Sequence, residues 1–241
     1  MAIASVNAAG GVNGEEVVVV GYDAQSELSK YTQFAQTAVL RDGIAAMFAG
    51  LTSSSREAIR PIFREANIPY FYSSLYEGGA CDKQTFVTGS SASQQLSVLM
   101  EWAVENYGPR IYIMAPDYNF GTISGHWVRE YAKQLGAEVV GEDYLALSVT
   151  DYAPTIQKIQ ASNPDVVVAL PGYLPYATSD FCAHISGKQT RVISEREEAC
   201  AVTTRFNITA LTRRDRRRRK LSALRLHTCH PSIGDMRVID V

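Results

Sequence analysis

Histidine and cysteine are scarce in this 241-residue chain, with four of each. The histidines stand at 126, 184, 227 and 230, and no HExxH pair occurs. His227, Cys229 and His230 carry metal-capable atoms but have no fourth ligand nearby, so no metal site and no cofactor are expected. The cysteines stand at 81, 182, 200 and 229 without CxxC spacing, too few and too scattered for a disulfide framework. No GxxxxGK[ST] and no GxSxG occur, and no serine or cysteine can be placed beside a base, so catalysis has no constellation and an enzyme is not expected. No run of 18 apolar residues exists, so membrane insertion by a spanning helix is not expected. The opening MAIASVNAAGG has no basic segment and no long apolar stretch, so no signal peptide is visible in it.

What is present is ordinary globular composition, with 46% apolar and 20% charged residues. The net charge of −2 conceals a reversal. Residues 1–185 carry 10 Lys+Arg against 19 Asp+Glu, a balance of −9, and residues 186–241 carry 13 against 6, a balance of +7. The βα pattern is lost at the same point. The segment 186–241 is therefore expected to be a basic tail, either disordered or a non-native continuation such as a frameshift product. Its run Arg213–Lys220 has no interleaved aromatics and leads into no nucleic-acid fold, so no nucleic-acid partner is expected. Asn207-Ile-Thr209 is a glycosylation sequon of the kind that arises by chance.

Before residue 186, strand and helix signals alternate. Strands are expected at 16–21 (EVVVVG), 44–50, 68–73, 85–89, 110–115, 138–147 and 165–170. Helices are expected at 29–41, 54–66, 94–107, 123–135 and 154–161, with a weaker one over 175–185. This alternation implies parallel sheets covered by helices, an α/β class. Tyr107-Gly-Pro109 is the best internal boundary, giving a first lobe over 1–107 and a second over 108–185. The glycines of Gly10-Gly-Val-Asn-Gly14 follow a helical stretch and precede the 16–21 segment, so they read as a helix-ending turn and not as a phosphate loop.

Ligands of open α/β sheets bind outside the carboxyl ends of strands. Four such ends are polar and aromatic: Leu51–Arg56, Ser73–Gly78, Pro116–Gly121 and Pro171–Tyr176. Together they suit a neutral, aromatic-walled pocket. Plain capping of the next helix needs only one of the serines in Leu51–Arg56, and Asp82 and Asp117 are carboxylates without an evident partner.

NAAGGVNG, YDAQSE, GLTSSSREAIRPIF, YFYSSLYEGG, PDYNFG and DYAPTIQKIQASNPDVVVAL occur in that order. Over residues 4–185 the chain resembles the type I periplasmic binding proteins of the Leu/Ile/Val-binding class, in their urea and short-chain amide branch. The resemblance implies two Rossmann-like lobes that close on a small solute and deliver it to an ABC transporter permease, with a periplasmic location for the full-length family member. It carries ligand-binding roles to Ser53, Tyr72 and Ser74 in the first lobe, and to Tyr118 and Tyr176 in the second. Amino-acid binders of the family place a glutamate where Tyr176 stands, which favours a neutral amide over an ammonium. Asp117 and Asp180 keep a branched-chain amino acid open as the alternative, and a cytoplasmic amide-sensing regulator is a further one. In the family a strand precedes NAAGGVNG and lies between the strands matching 16–21 and 44–50. Without it both neighbours are expected to lose a ladder partner, and the chain reads as a fragment that need not function.

Overall fold

The computed structural model of the chain describes residues 2–170 and 191–194. Tyr176, Asp180, the helix expected over 175–185, Cys182, Cys200, Cys229, three of the histidines, the sequon and the basic run fall outside the described residues.

The described chain opens with helix α1 (Ala2–Ala8). The Gly11 amide closes its end by donating to Val6 O at 2.9 Å. Gly11 holds φ +75°, and a Cβ there would stand 1.8 Å from Glu15 O, so this turn accepts only glycine. The strand expected over 16–21 does not form. Val18, Val19 and Val20 are 77%, 68% and 45% exposed, and no described backbone hydrogen bond reaches their amides. β-Branched propensity describes fit to a neighbouring strand, and no described strand lies beside this run.

Helix α2 (Leu28–Leu40), strand β1 (Met47–Phe48), helix α3 (Ser53–Glu65) and strands β2 (Tyr70–Tyr72) and β3 (Thr85–Val87) follow. The strands are parallel in the order β1-β2-β3, with Met47 opposite Tyr70 and Tyr70 opposite Thr85. Tyr70 and Tyr72 face a core of Ala35, Ile59 and Phe63 from α2 and α3. The alternate face carries a ladder of Phe48, Phe71 and Phe86, with ring centroids 4.6 and 5.1 Å apart. β1 is two residues long where seven were expected. Its only described ladder is the one to β2, and its Phe48 is 71% exposed.

A short π-helical stretch, Ser93–Ser97, runs into α4 (Val98–Tyr107), which stops at Gly108 with φ +126°. There a Cβ would meet Asp165 Oδ2 at 2.4 Å. Strand β4 (Arg110–Pro116), helix α5 (Asn119–Gln134), strand β5 (Glu138–Leu145), helix α6 (Ala153–Ser162) and strands β6 (Val166–Ala169) and β7 (Arg191–Ser194) complete the described elements and form a second sheet. All are parallel in the order β5-β4-β6-β7. β7 lies beyond residue 186, where the βα order was expected to stop. A four-residue strand is too short to register as a period in a polar surrounding. β4 and β6 are buried on both faces, which is why they read as continuous apolar runs. Ile111, Ile113, Val166 and Val168 pack with Met100 and Val128, and Tyr112, Met114 and Val167 pack with Ile159 on the opposite face.

The chain leaves β4 toward β5 and then crosses back to β6. The carboxyl end of β4 is therefore a topological switch point, where a crevice opens between oppositely directed connections. Pro116, Asp117 and Tyr118 stand there.

Candidate functional site

Beside the first sheet the site is built from the residues that follow β1 and β2. Thr52 caps α3, its Oγ1 accepting from the Ser55 amide at 3.1 Å. Capping therefore falls to the threonine and frees the first serines for other contacts. Ser53, Arg56, Ile59 and Phe63 recur on the inward face of α3 at helical spacing. This places a serine and an arginine in the interior above two aliphatic and aromatic anchors.

Arg56 is 1% exposed, and its side chain lies over the rings of Tyr72 and Tyr76, at 4.9 and 5.1 Å from their centroids. Its Nη2 and Nη1 donate to Glu77 Oε1 and Oε2 at 2.6 and 3.3 Å, and its Nε donates to Glu57 at 2.9 Å. Burial opposes its charge, but the hydrogen bonds and the negative charge of Glu77 outweigh that and raise its pKa further. The Glu77 side chain is fully buried. Ser53 Oγ donates to Glu77 Oε2 at 2.8 Å, and Asn119 Nδ2, at the start of α5, donates to Oε1 at 3.2 Å. Each carboxylate oxygen thus accepts two hydrogen bonds, which fills its ordinary capacity. Trp127 Nε1 of α5 also donates to the Glu77 carbonyl at 2.9 Å. The loop after β2 and helix α5 are joined at this residue.

Tyr72, 1% exposed, donates its hydroxyl to Leu51 O at 3.1 Å. Burial raises its pKa, against the opposing Arg56 charge and the hydroxyls of Ser74 and Ser53. The phenol is thus a protonated donor. Three of the residues expected in the site, Ser53, Tyr72 and Ser74, are brought together here. Tyr118 precedes α5 at the switch point with extended backbone, its ring stacked 6.1 Å from Phe120. Its neighbour Asn119 makes the link to Glu77. Tyr176 lies outside the described residues. Beside the cluster, an aromatic-walled depression of about 380 Å³ is lined by Tyr31, Phe48, Ala49, Gly50, Leu51, Phe71 and Ser73, none of them charged.

Asp82, expected without a partner, accepts from Arg60 Nη1 at 2.7 Å and from Thr85 at 3.0 Å, and Arg60 also donates to Glu57, which links the pair to Arg56. The Asp117 amide donates to Leu145 O at 2.8 Å, and the residue is exposed. Cys81 is disulfide-bonded, and every other cysteine lies outside the described residues. Spacing rules detect frameworks and clusters and miss a single bridge. Arg56 and Glu77 were not singled out from the sequence. The signal was an arginine at an inward position of an amphipathic helix, where a charge demands a buried partner. Among the described residues no group of three or more His, Cys, Asp or Glu could hold a metal, and no helix is long and apolar enough to cross a membrane.

Comparison with known proteins places this geometry. A family model described as periplasmic binding protein matches residues 1–173. The Leu/Ile/Val-binding protein of Citrobacter freundii is 27% identical over 179 residues, spanning 72% of this chain and 48% of its own length. Leu/Ile/Val-binding protein homolog 4 of Brucella abortus (strain 2308) is 25% identical over 179 residues, spanning 68% and 43%. The crystal structure of a leucine binding protein from Thermotoga maritima superposes with a TM-score of 0.70 at 19% identity, over 79% of this chain and 55% of that one. The chain spans about half the length of the curated relatives it matches.

Proposed function

Since the chain belongs to the periplasmic binding protein family, we propose that it is the ligand-receiving part of a solute receptor serving an ABC uptake system, with a branched-chain amino acid as solute. The match over residues 1–173 carries this reading, because it spans both lobes and the cluster between them. Relatives named for leucine, isoleucine and valine support the solute class. In this reading Ser53, Tyr72 and Ser74 hold the ligand from the first lobe, and Tyr118 closes on it from the second; Tyr176, which the resemblance adds to the set, lies outside the described residues. The lobes swing together about the segment between them and exclude water from the ligand.

A urea or short-chain amide is the second reading. The uncharged depression favours it, as does an Arg56–Glu77 pair whose charges cancel each other and offer none to a ligand. Urea has four heavy atoms, so at ~1.5 kcal/mol per atom its affinity is limited to tens of micromolar. Calorimetric titration of the full chain with leucine, valine, acetamide and urea separates the readings. Saturable leucine binding is expected. Heat with acetamide or urea and none with leucine transfers the assignment to amides, and no heat with any of them removes both.

A further inference from the structure

Asn119, Ile123 and Trp127 recur every fourth residue on one stripe of α5, and all three meet the short turn over residues 76–80 that follows β2. This turn is closed on itself. The Ala80 amide donates to Tyr76 Oη at 2.9 Å, and the same hydroxyl donates to Ala80 O at 3.2 Å. Gly78 and Gly79 hold φ of +115° and +90°, a backbone that side chains resist. The turn is anchored beside the first sheet, because Arg56 of α3 holds the Glu77 side chain and the Tyr76 amide donates to Ser90 O at 2.9 Å. α5 is anchored to the second sheet, where Val128 and Ala132 pack with Ile111 and Ile113.

The two ends of the stripe are held differently. Trp127 Nε1 donates at 2.9 Å to a main-chain carbonyl, Glu77 O, inside the closed turn. Its ring lies beside Gly78 and stacks on Tyr131. Asn119, the first residue of α5, reaches only a side chain, Glu77 Oε1, at 3.2 Å. Both oxygens accept whatever the charge of the carboxyl group. The donors are ~12 Å apart along the helix at ~1.5 Å per residue. A rotation of about 10° about Trp127 moves Asn119 by roughly 2 Å, which breaks the Asn119 bond and spares the other. We propose that this stripe is a one-ended clasp: Trp127 on the Glu77 carbonyl is the pivot between the two sheets, and Asn119 on the Glu77 carboxyl is the latch. Release of the latch swings Tyr118, the neighbour of Asn119, away from the residues after β2. The closing motion that this governs rests on the receptor reading given above, whereas the pivot and latch contacts exist without ligand.

Residual dipolar couplings of the full chain, free of ligand, read the angle between α3 and α5. Asn119→Ala is expected to change that angle by about 5° or more and to leave exchange of the Trp127 indole proton within about twofold of the wild type. The chain has two tryptophans, so Trp102→Phe assigns the indole signal. An unchanged angle overturns the latch, and indole exchange that rises about tenfold with the angle overturns the pivot. Asn119→Asp repeats the test in a second variant, since a carboxylate donates nothing and is favoured at a helix start. Trp127→Phe keeps a ring and deletes the donor. It is expected to average the α5 couplings below those of α3, and couplings that stay equal overturn the pivot. Leucine affinity of Asn119→Ala is expected to fall about threefold or more, because less of the protein is binding-competent. An unchanged affinity beside a changed angle overturns the role of the clasp in closure. If the wild type binds no leucine, the leucine-receptor reading fails, and the ligand-free angle and indole exchange alone decide the clasp.

Discussion

Arg56 and Glu77 show how a charge is tolerated inside this chain. Both side chains are at most 1% exposed, and the guanidinium satisfies its donors on Glu77 and Glu57 while its faces rest on Tyr72 and Tyr76. Removing one partner leaves the other buried and unpaired. Arg56→Met is therefore expected to lower unfolding stability by about 3–5 kcal/mol. Arg56→Met combined with Glu77→Leu restores most of that loss, because an apolar pair carries no desolvation penalty. Denaturant unfolding of the three variants checks this, and a double variant less stable than either single one contradicts it. Tyr72→Phe removes the hydrogen bond to Leu51 O together with the hydroxyl contacts to Ser74 and Ser53, and is expected to cost about 1–2 kcal/mol.

The elements follow one rule: apolar runs became strands where a neighbour was present. β6, a run of valines at 166–168, lies between β4 and β7 and is wholly buried. The valines at 17–20 have the same composition, and residues 18–20 are exposed without a ladder. Val167→Ala is expected to cost about 2 kcal/mol, and Val19→Ala less than about 0.5 kcal/mol. Comparable losses at the two sites contradict the assignment. α5 depends on small residues for its approach to the sheet. A Cβ on Gly125 would meet Tyr144 Oη at 2.3 Å, so Gly125→Ala is expected to cost about 1–3 kcal/mol, with part recovered by Tyr144→Phe. This contrast also explains what the sequence made legible. Helices α2, α3 and α6 and strands β4 and β5 were readable to within a few residues, because their own periodicity or burial determines them. The strand expected at 16–21 and the length of β1 were not, because a ladder is a property of two segments. Ser53, Tyr72, Ser74 and Tyr118 were legible as strand-end residues. Glu77 was not, since its role exists only once α3 and α5 are folded around it.

At the scale of the whole molecule, acid is expected to weaken the first lobe. Glu57 and Asp82 both receive Arg60, which spans them at the side of α3. Burial works against their charge, but hydrogen bonds and ion pairing outweigh it and hold both carboxyls below their ordinary values of 4.5 and 3.8. A depressed native pKa contributes stability that is complete above the unfolded value and disappears as pH falls through the native one. The unfolding midpoint is therefore expected to fall as pH drops below about 4, and Arg60→Gln to flatten that fall. A midpoint that rises in the same range contradicts the pairing. Glu77 ties α3 to the start of α5, so on the proposed reading ligand capture and this contact belong to one assembly and should appear in a single transition. The measurement that tests this most directly is thermal unfolding of the full chain without ligand and with 10 mM leucine. At a Kd of about 100 μM, leucine adds roughly 2.7 kcal/mol. The account predicts one cooperative transition that leucine raises by a few degrees. A transition that leucine leaves unmoved, or the absence of any cooperative transition, would contradict it.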